Sequence, residues 1–177
     1  MLAQIIAVLY ARAVNEALLD PFRHNAWATR ELLALCRPLS DEQLEATTPG
    51  TYGDIRATFH HVIESEAYYL GLLSGSRPDW YREDDEELPP PMEELERRAA
   101  DVEERWERFL AGSPVDPERP IVYEDWASDA GVIIAQVLNH GSEHRAQVYT
   151  VLTTLGVEPP ELDGWSYGEA HGRYRET

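Results

Sequence analysis

His140 and His144 stand one helical turn apart in Asn139-His140-Gly141-Ser142-Glu143-His144-Arg145-Ala146-Gln147, inside a segment that reads as one long helix. At about 100° per residue they project from the same face, which is a chelating arrangement. Val137, Val148, Val151 and Leu155 share that side, so both imidazoles are expected to point into a core and need a partner there. Two histidines leave a metal under-ligated, and the adjacent pair His60 and His61 on an earlier helix offers a third donor. Periodicity does not choose between them, because the centre of that helix's apolar stripe lies about equally far from each. His61 has the more pocket-like neighbours (Ser65, Tyr68, Leu72), whereas His60 lies beside Arg56, Glu64 and Ala67. Gln136, Glu143 and Gln147 border the His140/His144 face, as candidates for hydrogen bonds to the ligands or for proton transfer, with Glu143 the candidate general base. Glu66 falls within an apolar stripe and must find a donor if buried, with Asn25, Trp27 or an arginine as candidates. His24 and His171 have no comparable support and read as ordinary polar residues.

These side chains need rods to hold them. Asp20-Pro21 reads as a helix start, with the helix running to about Arg37 and a separate helical piece over residues 2–19. Ser40-Asp41-Glu42-Gln43 reads as a capping box. The next helix begins near Asp54, carries Ile55, Phe59, Val62, Tyr69 and Leu73 along one side, and ends at Ser74-Gly75. A proline-rich acidic stretch between Ser76 and Pro91 reads as a solvated loop. Met92, Leu95, Ala99, Val102, Trp106 and Phe109 then step by three and four, the seam of a packed helix. After Gly112-Ser113-Pro114, a short extended piece around Ile121-Val122-Tyr123 leads to a helix from about Ser128 to Leu155, closed by Gly156. A short final helix is expected near Trp165–Glu169. The expectation is an all-α fold, an antiparallel four-helix bundle with long connecting loops. Residues 1–17 would be an N-terminal helical extension, 18–170 the bundle and 171–177 a C-terminal tail.

Composition narrows the chemistry. A chain of 177 residues with 43% apolar content can build one real core. Its net charge of −18 argues against nucleic acid and anionic membrane surfaces as partners. All 15 basic residues are Arg, so lysine Schiff-base chemistry is excluded. Cys36 is the one cysteine, which excludes an internal disulfide and a Cys-rich zinc site and fits a reducing cytoplasm. The stretch Leu2–Tyr10 followed by Ala11-Arg12-Ala13 imitates a signal peptide but lacks the basic leading region, and no segment is long enough to span a bilayer.

Three stretches together resemble the DinB/YfiT-like four-helix-bundle proteins: Asn25-Ala26-Trp27-Ala28, the run Asp54–Glu66 containing His60-His61, and Leu138–Gln147. The last is similar to the family's N-H-x-x-x-H-R-G-Q, with Ala146 in place of the usual Gly. The resemblance covers about Leu18 to Trp165. It implies that His61, His140 and His144 bind a divalent metal, zinc or nickel first, with iron or manganese also compatible with imidazole donors. It further implies a homodimer and a metal-dependent enzyme acting on a small molecule, either a transferase or isomerase using a low-molecular-weight thiol or a hydrolase. The second class of function is a stress-related bundle that binds a metal or small ligand without turnover. His140-Gly-Ser-Glu-His144 also matches the H-x-x-E-H of inverzincin proteases, but too little chain follows for their distant glutamate ligand. Di-iron carboxylate bundles need Glu-x-x-His, which is absent.

Overall fold

Hydrophobic periodicity in this sequence resolves into six helices and one β-hairpin in a computed structural model that describes residues 2–83, 88–112 and 115–175. The fold is mostly helical. Part of the acidic loop (residues 84–87) and the Ser113-Pro114 break lie outside the described residues.

Helix α1 (Leu2–Cys36) runs unbroken through Asp20-Pro21, so the helix start expected there is corrected. Proline removes one N–H and frees the carbonyl four residues earlier. Pro21 and Ala17 both face solvent, where water can satisfy that carbonyl, while Phe22 and Asn25 on the other side are buried. Helix α2 (Asp41–Leu44) opens on the expected capping box: the Gln43 N–H donates to Ser40 Oγ at 3.3 Å and the Ser40 N–H to Gln43 Oε1 at 3.0 Å. Helix α3 (Ile55–Ser74) is capped by Asp54, whose Oδ1 accepts from the Ala57 N–H at 2.7 Å, and it stops at Gly75, whose φ of 74° favours glycine. Helix α4 (Met92–Ala111) follows the stepped seam.

The extended piece after α4 is one arm of a hairpin. Strand β1 (Pro120–Tyr123) pairs antiparallel with β2 (Trp126–Asp129), and Tyr123 faces Trp126. The turn residue Glu124 takes a positive φ of 50°, and without Asn-Gly or Asp-Gly there the hairpin carried no turn signal. Helix α5 (Ala130–Thr154) therefore starts just after β2, and Gly156 (φ 74°) follows its end. Helix α6 (Gly164–Ala170) is the short final helix, capped by Asp163.

Helix α1 packs on α4, α5 and α6, and α3 packs on α4 and α5. The residues between the long helices are almost fully buried, among them Leu32, Ile55, Phe59, Leu95, Val137 and Leu152. Along the α1/α4 seam, Arg23, Arg30 and Arg37 pair with Glu107, Glu103 and Glu96, an antiparallel ladder on the solvent side of the contact. Among the described residues no helix is long and apolar enough to cross a membrane.

Candidate metal centre

Packing of α3 against α5 brings His61 onto His140 and His144. One nitrogen from each of the three rings lies within 4.8 Å of the other two, and the His61 and His140 Nε2 atoms are 3.0 Å apart. The same packing decides between the adjacent histidines of α3. His60, turned by about 100°, is buried on the opposite side, with Nε2 3.0 Å from Glu64 Oε1. Glu64 also lies 3.7 Å from Arg98 Nη1 of α4, and Arg98 rests over the Trp80 ring. His60 thus belongs to the α3/α4 contact and His61 to the α3/α5 contact.

The tautomer of His144 follows from its neighbours. Gln147, one turn further along α5, places Oε1 3.1 Å from His144 Nδ1 and 2.9 Å from the Tyr52 backbone nitrogen. A backbone N–H can only donate, so the shared atom is an acceptor and His144 Nδ1 carries the proton. In the neutral ring this leaves the Nε2 lone pair free to bind a cation. Burial, with His144 and His61 close by, lowers the pKa of His140 to about 4 and keeps that ring neutral. Its Nδ1 is buried without a hydrogen-bond partner among the described residues.

Aromatic rings wall the cluster. Tyr52, from the loop between α2 and α3, stacks on His61 at a centroid distance of 4.1 Å and an angle of 15°, and meets His144 edge-on at 5.3 Å. Tyr69 meets His140 edge-on at 6.0 Å and accepts from Gln136 Nε2 at 3.4 Å. Glu143 is exposed on α5. Sequence reasoning missed Tyr52, because a loop residue has no periodicity to place it.

Behind the histidines a buried polar network ties α1 to α3 and α5. Asn25 Nδ2 donates to Glu66 Oε1 at 2.8 Å, and Arg145 Nη1 donates to Asn25 Oδ1 at 2.7 Å and to Thr29 Oγ1 at 3.2 Å. Glu66 therefore finds its donor in Asn25, one of the expected candidates, and burial still raises its pKa. Gly141 lies between His140 and His144 because α1 comes so close there. A Cβ at 141 would sit 2.6 Å from Asn25 Oδ1 and 2.9 Å from Arg145 Nη1. Trp27 packs elsewhere, in an aromatic group with His24, Tyr167 and His171. Cys36 is buried and its thiol is pushed up to about 12, so it is no nucleophile at neutral pH.

The donor set fits a divalent cation. A tetrahedral zinc with Zn–N bonds of about 2.0–2.1 Å separates its nitrogens by roughly 3.3 Å, between the closest and widest spacings seen here. Without a cation, two imidazole nitrogens 3.0 Å apart can share only one proton. Three histidines also leave a coordination position for a further ligand, the pattern of open rather than structural sites. Comparison with protein-family models gives a match over residues 14–176 to the model described as DinB family. No curated protein matches the chain.

Proposed function

This chain belongs to the DinB family, and from that premise we propose that it is a metal-dependent enzyme whose long helices α1, α3, α4 and α5 form an antiparallel four-helix bundle around a three-histidine centre. His61, His140 and His144 are the metal ligands in this reading, with zinc or nickel the preferred ion and iron or manganese compatible with the same donors. A divalent ion held there supplies Lewis acidity, which favours the deprotonated forms of water and of thiols. The observation that carries the reading is the convergence of three imidazole nitrogens within 4.8 Å. Gln147 keeps His144 in the ligating tautomer, and burial keeps His140 neutral. Tyr52 and Tyr69 cover the rings and limit the water around them. Exposed Glu143, beside His144 on α5, is the candidate base that moves a proton between the site and solvent.

The substrate in this reading is a small molecule. The reaction is thiol-dependent S-transfer or isomerisation, or else hydrolysis, carried out in the cytoplasm, where the unpaired Cys36 stays reduced. The protein works as a homodimer, and exposed Trp165 and Trp126 are the tryptophans available for contact with a second copy. The alternative reading, a stress-related protein that binds a metal or small ligand without turnover, rests on the same cluster.

Elemental analysis of untagged protein should give close to one divalent ion per chain. Metal-loaded protein, offered bacillithiol, mycothiol or glutathione with electrophilic substrates, should conjugate one pair faster than the His144→Ala variant does. Full metal occupancy with no turnover across thiol and ester panels would move the assignment to the non-catalytic reading. Sedimentation analysis at micromolar concentration tests the dimer, and a monomer would remove it.

A further inference from the structure

The loop that joins α2 to α3 is built to reach the histidine cluster. Thr51 Oγ1 lies 2.8 Å from the carbonyl of Thr48 and 3.1 Å from that of Gly53, so its single proton is held between the two, and Gly50 supplies the positive φ of 92° that the turn requires. Two tethers bind the loop to α5: Thr48 Oγ1 to Thr154 Oγ1 at 3.4 Å, and the Tyr52 N–H to Gln147 Oε1 at 2.9 Å. The second tether is the informative one, because the oxygen that holds the loop also accepts the proton of His144 Nδ1. The residue it holds lays its ring flat on His61 although 56% of Tyr52 remains exposed. An exposed ring is seldom fixed in a stack without such an anchor, since ordering it costs rotamer entropy.

We propose that Gln147 is a positioning residue that couples loop docking to metal binding: one carbonyl oxygen both presents His144 Nε2 to the cation and seats Tyr52 as the cover of His61. The inference rests on the three-histidine reading and adds a linkage to it. If the docked loop and the ligating tautomer share an acceptor, stabilising either stabilises the other, and the effect is reciprocal. Metal should order the loop, and a loop without its anchor should bind metal poorly.

Two measurements on the full-length protein test this: Zn²⁺ affinity by competition with a chromophoric chelator, and hydrogen exchange at the Tyr52 amide with and without Zn²⁺. In the wild type, Zn²⁺ should slow exchange at Tyr52. Gln147→Leu removes the acceptor at similar size and should weaken Zn²⁺ binding about 10- to 100-fold, the range for losing a hydrogen bond to a ligating imidazole. It should also leave Tyr52 exchange fast and indifferent to metal. Gln147→Glu keeps an acceptor at that position and should restore metal-dependent protection. Urea unfolding of each metal-free variant separates these effects from a loss of folding. Gln147→Leu protein that is folded, binds Zn²⁺ like the wild type and still protects Tyr52 would overturn the coupling while leaving the three-histidine centre standing. Wild-type protein that takes up no divalent ion overturns both.

Discussion

His60 and His61 show how far one residue's neighbourhood reaches. They are adjacent on α3, yet one joins Glu64 and Arg98 in the contact with α4 and the other joins His140 and His144 in the contact with α5. His61→Ala should therefore abolish stoichiometric Zn²⁺ binding with little effect on metal-free stability. His60→Ala should keep the metal and lower stability by about 1–3 kcal/mol, because it removes a buried ring from the α3/α4 contact. Metal content and urea unfolding of the two variants check this, and the reverse assignment of effects would make His60 the ligand. Periodicity on α3 could not separate the two, since its apolar stripe is centred between the rings; the neighbours Ser65, Tyr68 and Leu72 favoured His61, and it is His61 that packing of α3 on α5 brings to His140 and His144. The i, i+4 pair on α5 was legible, because both its members lie on one helix. Glu66 yields a pH prediction. Burial raises its folded pKa above the ordinary value of 4.5, so the unfolded chain ionises first. Its contribution is fully present below about pH 4.5 and declines as pH rises through the folded value. Glu66→Gln keeps an acceptor for Asn25 and lacks this decline, so urea unfolding between pH 4.5 and 8 should show the variant gaining on the wild type as pH rises. A constant difference would mean that Glu66 ionises as freely in the fold as out of it.

Helices impose constraints that single residues do not show. Glycine inside a helix costs roughly 1 kcal/mol relative to alanine, yet α5 places Gly141 between the two histidines of the cluster. The close approach of α1 explains it, with Asn25 Oδ1 occupying the space a Cβ would need. Gly141→Ala should gain that helix propensity and lose more to the forced shift of Asn25 and Arg145, for a net loss of about 1–2 kcal/mol in urea unfolding. A gain in stability would show that α1 can move away without cost. Ala146, in contrast, is exposed, so a side chain there meets no such barrier. The starts of α2 and α3 were legible because caps announce them: Ser40 and Asp54 each bond the first turn of the helix they precede. Two features were not. Pro21 looks like a helix start because the sequence does not show which face will be wet, and on a solvent face its lost hydrogen bond is tolerated. The hairpin turns at Glu124-Asp125, where the positive φ of Glu124 is imposed by the pairing of Tyr123 with Trp126 on either side.

At the scale of the molecule, the net charge of −18 is the largest fact the local contacts do not settle. The arginines are largely committed to carboxylates at contact distance, including the ladder from Arg23–Glu107 at 2.5 Å to Arg37–Glu96 at 2.5 Å. The acidic surplus is left to repel itself across the fold. Salt acts on these two terms over different lengths. At 0.1 M the Debye length is about 10 Å, short enough to screen repulsion across the molecule and still several times the span of an ion pair in contact. Stability should therefore rise between 10 mM and 200 mM KCl, by roughly 1 kcal/mol, or about 2–4 °C in midpoint for a chain of this length. Arg30→Gln removes the middle rung and adds one more uncompensated negative charge, so its midpoint should lie below the wild type at 10 mM and climb more steeply with salt. Thermal melts of the chelator-treated protein in KCl measure both slopes with metal binding removed from the comparison. A wild-type midpoint that falls as salt is added would mean that the arginine ladder, and not the surplus of carboxylates, dominates the electrostatics of this fold.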